Sequence, residues 1–214
     1  NNAQIGTAYS QALTGNGGTA PYSFAVTAGA LPVGITLSSG TLSGTPTSGG
    51  TFNFTVTATD NHGQTGSNAY SLSVGAATIT IAPATLPNGS VAQAYSQAVT
   101  ASGGSAGYSF AVTAGALPAG LSLAANGTIT GTPIAGGSFN FTITATDSST
   151  GSGPYTGSQA YSVLITAANV VLPPSVLPNG TVSSAYSVVI DPATGGIAPY
   201  SYAVSSGSLP PGLS

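Results

Sequence analysis

Gly137-Ser-Phe-Asn-Phe-Thr-Ile-Thr-Ala-Thr-Asp147 alternates without a break. Phe139, Phe141, Ile143 and Ala145 fall on one phase, and Asn140, Thr142, Thr144 and Thr146 on the other. A period of two with an apolar and a polar side describes a half-buried β-strand, predicted here over Ser138–Thr146. The same text stands earlier as Gly50-Thr-Phe-Asn-Phe-Thr-Val-Thr-Ala-Thr-Asp60. The strand therefore belongs to a repeat.

Other landmarks return in the same order. Ala-Tyr-Ser occupies 8–10, 94–96 and 185–187, and Leu-Pro-x-Gly occupies 31–34, 117–120 and 209–212. The period is about 90 residues, too long for a solenoid unit of roughly 20–50 and right for a small β-sandwich of about 100. Gly, Pro and β-branched residues interrupt every candidate helix. The sequence divides into copies at 1–77, 78–168 and 169–214.

The middle copy carries the remaining strand signals. Thr78–Ile81 precedes Pro83, and Ala94–Ala101 places Tyr95 and Val99 on one face. Tyr108–Thr113 points Tyr108, Phe110 and Val112 inward. Leu121–Leu123 and Thr128–Thr130 flank the Asn126-Gly127 turn, and Ala160–Ile165 closes the sheet. Seven short strands punctuated by turns predict an immunoglobulin-like sandwich. Copy one repeats the inward set as Tyr22, Phe24, Val26, Phe52, Phe54, Val56 and Leu72; copy three has Tyr186, Val188, Ile190, Tyr200, Tyr202 and Val204.

Composition narrows the function. The chain has 214 residues with no Lys or Arg and three acids, Asp60, Asp147 and Asp191. Charged residues make up 1%, against about 25% in an ordinary domain. Nothing can neutralise phosphates, which argues against nucleic-acid binding and against docking on anionic lipid. No apolar run approaches the ~20 residues of a membrane helix, so membrane insertion is not expected. Cysteine is absent, so neither disulfides nor thiolate metal sites form, and each domain depends on its apolar core.

The ordered strings Leu86-Pro-Asn-Gly-Ser-Val, Ala94-Tyr-Ser-Gln, Gly107-Tyr-Ser-Phe, Leu117-Pro-Ala-Gly-Leu-Ser-Leu and Gly127-Thr-Ile-Thr-Gly-Thr-Pro133 run on into the opening stretch. Together they resemble the bacterial "putative Ig" tandem repeats, cadherin-like modules of haemagglutinin- and adhesin-type surface proteins. The resemblance covers essentially the whole chain. It implies a repeat unit of large secreted or cell-surface proteins, often adhesins, in keeping with an all-β fold of tandem Ig-like, cadherin-like sandwiches arranged as a rod, and it does not imply a conserved active site. The near-absence of charge departs from such repeats and argues against a calcium-binding or charge-steered role.

The few polar candidates have structural readings. Asp60 and Asp147 end the same strand in two copies, where a calcium ligand or a turn cap is conceivable. Calcium takes 6–8 oxygens, and the junction Gly75-Ala-Ala-Thr78 has no acid, so capping is preferred. His62 is the lone histidine, and Ser149 stands in its place in copy two, which leaves no Ser-His-Asp constellation. Asn53, Asn88, Asn126, Asn140 and Asn179 begin Asn-x-Ser/Thr sequons, three of them (Asn88, Asn126 and Asn179) on Asn-Gly turns that the fold needs. Tyrosines on the inward phase are core, not a sugar platform. Tyr155 is the exception, inside the inserted loop Ser148–Ser158 of copy two, the best place for a contact peculiar to that copy. No catalytic, cofactor-binding or metal-binding residue is expected, and the chain is not expected to be an enzyme.

The expected function is a structural segment: the stalk or fibre of a prokaryotic surface protein, or else a subunit region of a self-assembling extracellular filament or sheath. A carbohydrate-binding module has less support. Expected partners are neighbouring repeats of the same chain and identical chains in a fibre. Asn1 reads as a cut point inside a longer protein, and copy one lacks its first strand. Copy three stops at half a sandwich, to be completed by continuation of the chain or by a neighbouring subunit, continuation being preferred.

Overall fold

The structure is a computed structural model describing residues 2–173 and 176–214; Asn1, read above as a cut point, lies outside the described residues. The first repeat contains β1 (Ala3–Gln4), β2 (Tyr9–Ala12), β3 (Ser23–Gly29), β4 (Ile35–Ser38), β5 (Thr41–Gly44), β6 (Ser48–Thr59) and β7 (Thr65–Gly75). The second contains β8 (Thr80–Ala82), β9 (Gly89–Ser90), β10 (Tyr95–Ala98), β11 (Thr100–Ser102), β12 (Ser109–Gly115), β13 (Leu121–Leu123), β14 (Thr128–Gly131), β15 (Gly137–Thr146), β16 (Thr150–Gly151) and β17 (Thr156–Thr166). No helix occurs among the described residues.

The two repeats share one topology. In the first, β1, β7, β6 and β3 pair in that order, and β2, β5 and β4 form the facing sheet. In the second, β9, β17, β15 and β12 correspond to the first set, and β10, β14 and β13 to the second. The alternating stretch lands as read: Phe141, Ile143 and Ala145 are buried, while Asn140 is exposed. Phe54, Val56, Leu72 and Val74 join Ile5, Ile35 and Leu42 in the first core; Ile129, Tyr161, Val163 and Ile165 join Phe141 in the second. Phe54 stacks on Tyr70 and Phe141 lies against Tyr161, each at 5.8 Å between ring centroids.

Three strand expectations are corrected. Ala94–Ala101 is two strands in different sheets: β10 pairs with β14, and β11 pairs with β8. The chain changes sheet at Val99, whose N–H donates to the Gly127 carbonyl. Alternation survives such a switch because both halves face the same core, so the break leaves no mark on the pattern. The second repeat holds ten strands where seven were expected. Asn88-Gly89 is no turn: Gly89–Ser90 pairs in parallel with Ile165–Thr166, and the Asn88 carboxamide oxygen accepts the Leu164 N–H at 3.0 Å.

A bulge at Val26/Ala28, repeated at Val112/Ala114, sets Thr27 and Thr113 out of the ladder. Their hydroxyls bond to Thr57 (2.8 Å) and Thr144 (2.7 Å), which in turn bond to Ser67 (2.8 Å) and Ser158 (2.8 Å). Each repeat thus carries a row of mutually bonded hydroxyls across its outer face, polar without charge.

Beyond Thr166 no strand is present among the described residues, only the isolated bridge Val171↔Thr194. Local landmarks persist. The Tyr186 hydroxyl donates to the Pro178 carbonyl at 2.9 Å as Tyr95 does to Pro87, and Tyr200 donates to Gly195 as Tyr108 does to Gly103. The inward set of this segment is uncovered: Ile190, Tyr202 and Val204 are 47%, 50% and 57% exposed.

Candidate functional site

Asp60 stands where β6 ends. Its Oδ1 accepts the N–H groups of His62 and Gln64, both at 2.8 Å, and its Oδ2 accepts the Thr19 N–H at 2.9 Å. Asp147 repeats the arrangement at the end of β15. Its Oδ1 accepts the Tyr155 N–H (2.7 Å), the Ser149 hydroxyl (2.7 Å) and the Ser149 N–H (3.3 Å), and its Oδ2 accepts the Ser105 N–H at 3.0 Å. The carboxylate caps its own turn, as its position before a polar loop implies. It also ties that turn to a Gly-Gly loop some forty residues earlier, a tie no local pattern announces.

Electrostatics follow from those donors. The Thr19 N–H, then Gln64 and His62, hold the Asp60 carboxyl below its ordinary value against slight burial. Burial pushes the Asp147 carboxyl up, but Ser149, Ser105 and Tyr155 outweigh it and hold it low. Both oxygens of each carboxylate accept from the protein's own donors, so each aspartate functions as a corner brace. His62 contributes its backbone to the Asp60 cap. Among the described residues no group of three or more His, Asp or Glu converges.

The sequons divide by environment. Asn53 and Asn140 are exposed on corresponding strands. The Asn126 side chain accepts the Thr128 N–H at 3.1 Å, closing its own turn.

Tyr155 touches both repeats. Its ring packs against the core of its own repeat and against that of the first, and its hydroxyl bonds to Ser152 at 2.9 Å. Ala77 also packs against both cores. The Gln4 amide donates to the Ala76 carbonyl at 3.0 Å, and β8 opens a few residues after β7 closes, so the repeats are joined without a spacer.

The chain has relatives among known proteins. A family model described as "Putative Ig domain" matches residues 1–75 and 77–166. No curated protein matches the chain. Among solved structures, the chain is similar to extracellular cadherin domains 3–6 of protocadherin gamma B2 (15% identity, TM-score 0.34, covering 67% of this chain and 42% of that one). It is similar to Drosophila N-cadherin EC1–4 (15%, TM-score 0.32, 67% and 40%) and to human CDH23 EC21–23 (13%, TM-score 0.36, 81% and 68%). The chain spans less than half the length of the first two. Among the described residues no helix is long and apolar enough to cross a membrane.

Proposed function

The chain belongs to the Putative Ig domain family, and from that premise we propose that it is a structural segment of an extracellular surface protein, a stalk that holds a binding or anchoring domain at a distance. The observation that carries this reading is the joint. Ala77 serves two cores at once, and β7 passes to β8 without a flexible linker. Repeats joined in this way form a chain of rigid bodies with a defined step, as a spacer requires. The functional partner inside the chain is the neighbouring repeat. Among the described residues no arrangement of general acid, base and nucleophile accompanies the aspartate corners, whose oxygens accept hydrogen bonds from their own turns and from Thr19 and Ser105.

Small-angle scattering on the chain tests this. An elongated monomer, with a distance distribution peaked at one sandwich and tailing to several, is the expected result. A compact particle would overturn the stalk.

One observation favours a second reading, the subunit of a filament. Val176, Val182 and Val189 are 98%, 94% and 90% exposed in the third segment. There a crevice of about 660 Å³ is lined by Leu177, Tyr186, Val188, Tyr202 and Leu209. On this reading another copy of the chain covers that apolar face. Concentration-dependent sedimentation and fibres in the electron microscope would favour it over the solitary stalk.

A further inference from the structure

Repeats one and two differ in the loop after the corner aspartate. Asn61–Gln64 suffices in the first, and Gln64 returns its N–H to Asp60. Ser148–Tyr155 fills the same place in the second, and Tyr155 returns its N–H to Asp147. The added residues leave the corner unchanged and project onto the preceding repeat. There Thr150 and Gly151 pair in parallel with Ser48 and Gly49. The Thr150 N–H donates to the Thr47 carbonyl at 3.1 Å, and the Ser152 N–H to the Gly49 carbonyl at 3.3 Å. Ser48 is buried beneath this strap. The receiving edge is built for close approach, since a Cβ on Gly49 would lie 2.7 Å from the Tyr155 hydroxyl.

A second feature closes the same joint. Gly6 lies so near Gly104 of the next repeat that a Cβ at Gly6 would overlap the Gly104 carbonyl oxygen. The corresponding residue at the following joint is Ala92, also at positive φ (63°), which carries the Cβ that Gly6 lacks. That joint holds a crevice of about 390 Å³ between Val91–Gln93, Ala167–Asn169 and Gly195–Gly196.

We propose that the Ser148–Tyr155 loop is a latch: it adds a strand to the edge of the preceding repeat and locks repeats one and two into one rigid body. Rigidity along such a chain is then set joint by joint. It requires a long loop in the following repeat and a small-residue edge, Ser48-Gly49, in the preceding one. The inference is independent of whether the chain serves as stalk or filament.

Residual dipolar couplings on the whole 214-residue chain test it. In the native chain, couplings from 2–75 and 77–166 should fit one alignment tensor. Replacing Ser148–Tyr155 by the repeat-one loop Asn61–Gln64 should abolish the shared tensor and leave two of different magnitude, with each repeat's own spectrum retained. Gly151→Val is the second variant. Its φ of 74° and the Gly49 carbonyl beneath it exclude a side chain, and it lies on the strap, outside both cores. Loss of the common tensor in either folded variant supports the latch. Two tensors in the native chain overturn it, as does a single tensor persisting in the loop replacement. If the loop replacement fails to fold, a single tensor in Gly151→Val overturns it.

Discussion

Asp60 and Asp147 hold the same backbone corner from unequal surroundings, which separates their expected contributions. Asp147 is buried, and Asp147→Ala would strand the Ser105 and Tyr155 N–H groups and the Ser149 hydroxyl. A loss of about 2–3 kcal/mol in urea unfolding is expected, from hydrogen bonds to a charged acceptor. Asp60→Ala should cost less, because water can replace the carboxylate at its exposed donors. Equal losses would contradict the burial argument. Acid should act on the same groups. Both carboxyls are held below the unfolded value of about 3.9. Their stabilisation is therefore complete above that pH and disappears as pH falls through the lower folded values. The thermal midpoint should be level from about pH 8 to 5 and fall below about pH 4. A midpoint that rises on acidification would show that the corners do not stabilise the fold. The cap itself was legible in the sequence, since Asp before a polar loop bonds locally. The bond from Oδ2 back to Thr19 or Ser105 was not, since it joins residues that only the tertiary fold brings together.

Strands, unlike corners, announce themselves over several residues. Phe141, Ile143 and Ala145 were legible because one buried face imposes a strict period of two on β15. Phe141→Ala should cost about 3–5 kcal/mol through lost burial and the cavity left beside Tyr161. Thr142→Ala, on the opposite phase of the same strand, should change stability by less than about 0.5 kcal/mol. Comparable losses at the two positions, measured by chemical denaturation, would refute the assignment of faces. The switch at Val99 was illegible for a physical reason: the core lies between the sheets, so a strand that moves from one to the other keeps its apolar side inward. The two-residue strands β1, β9 and β16 were illegible as well. Each is too short to show a period, and each is defined only by the partner it docks on. The loop carrying Tyr155 was marked by its length as peculiar to the second copy, but the edge it reaches lies about a hundred residues earlier.

At the scale of the whole molecule the governing fact is the near-absence of charge. With no Lys or Arg, the chain offers trypsin no cleavage site even when unfolded by heat, and tryptic fragments ending inside it would contradict the sequence. With three acids, one histidine and no Lys or Arg there is little to screen, so moderate salt should leave the thermal midpoint where it was. Calcium presents a sharper case, because tandem sandwich repeats can be stiffened by ions held between them. An ion at a joint needs roughly 6–8 oxygens, several of them carboxylate. The linking stretch Gly75-Ala-Ala-Thr78 supplies no carboxylate, and the acids of the two repeats, Asp60 and Asp147, already accept hydrogen bonds on both oxygens, from their own turns and from Thr19 and Ser105. Releasing those oxygens to a cation would unmake the corners that position them. What holds the first joint is instead the pairing of Thr150–Gly151 with Ser48–Gly49 and the packing of Ala77 and Tyr155 against both cores. Chelator added to the native chain is therefore expected to leave both the thermal midpoint and the scattering profile unchanged. A fall of several degrees, or a rod that becomes flexible on chelation, would mean that an ion contributes to the joint and that strand pairing and packing alone do not hold it.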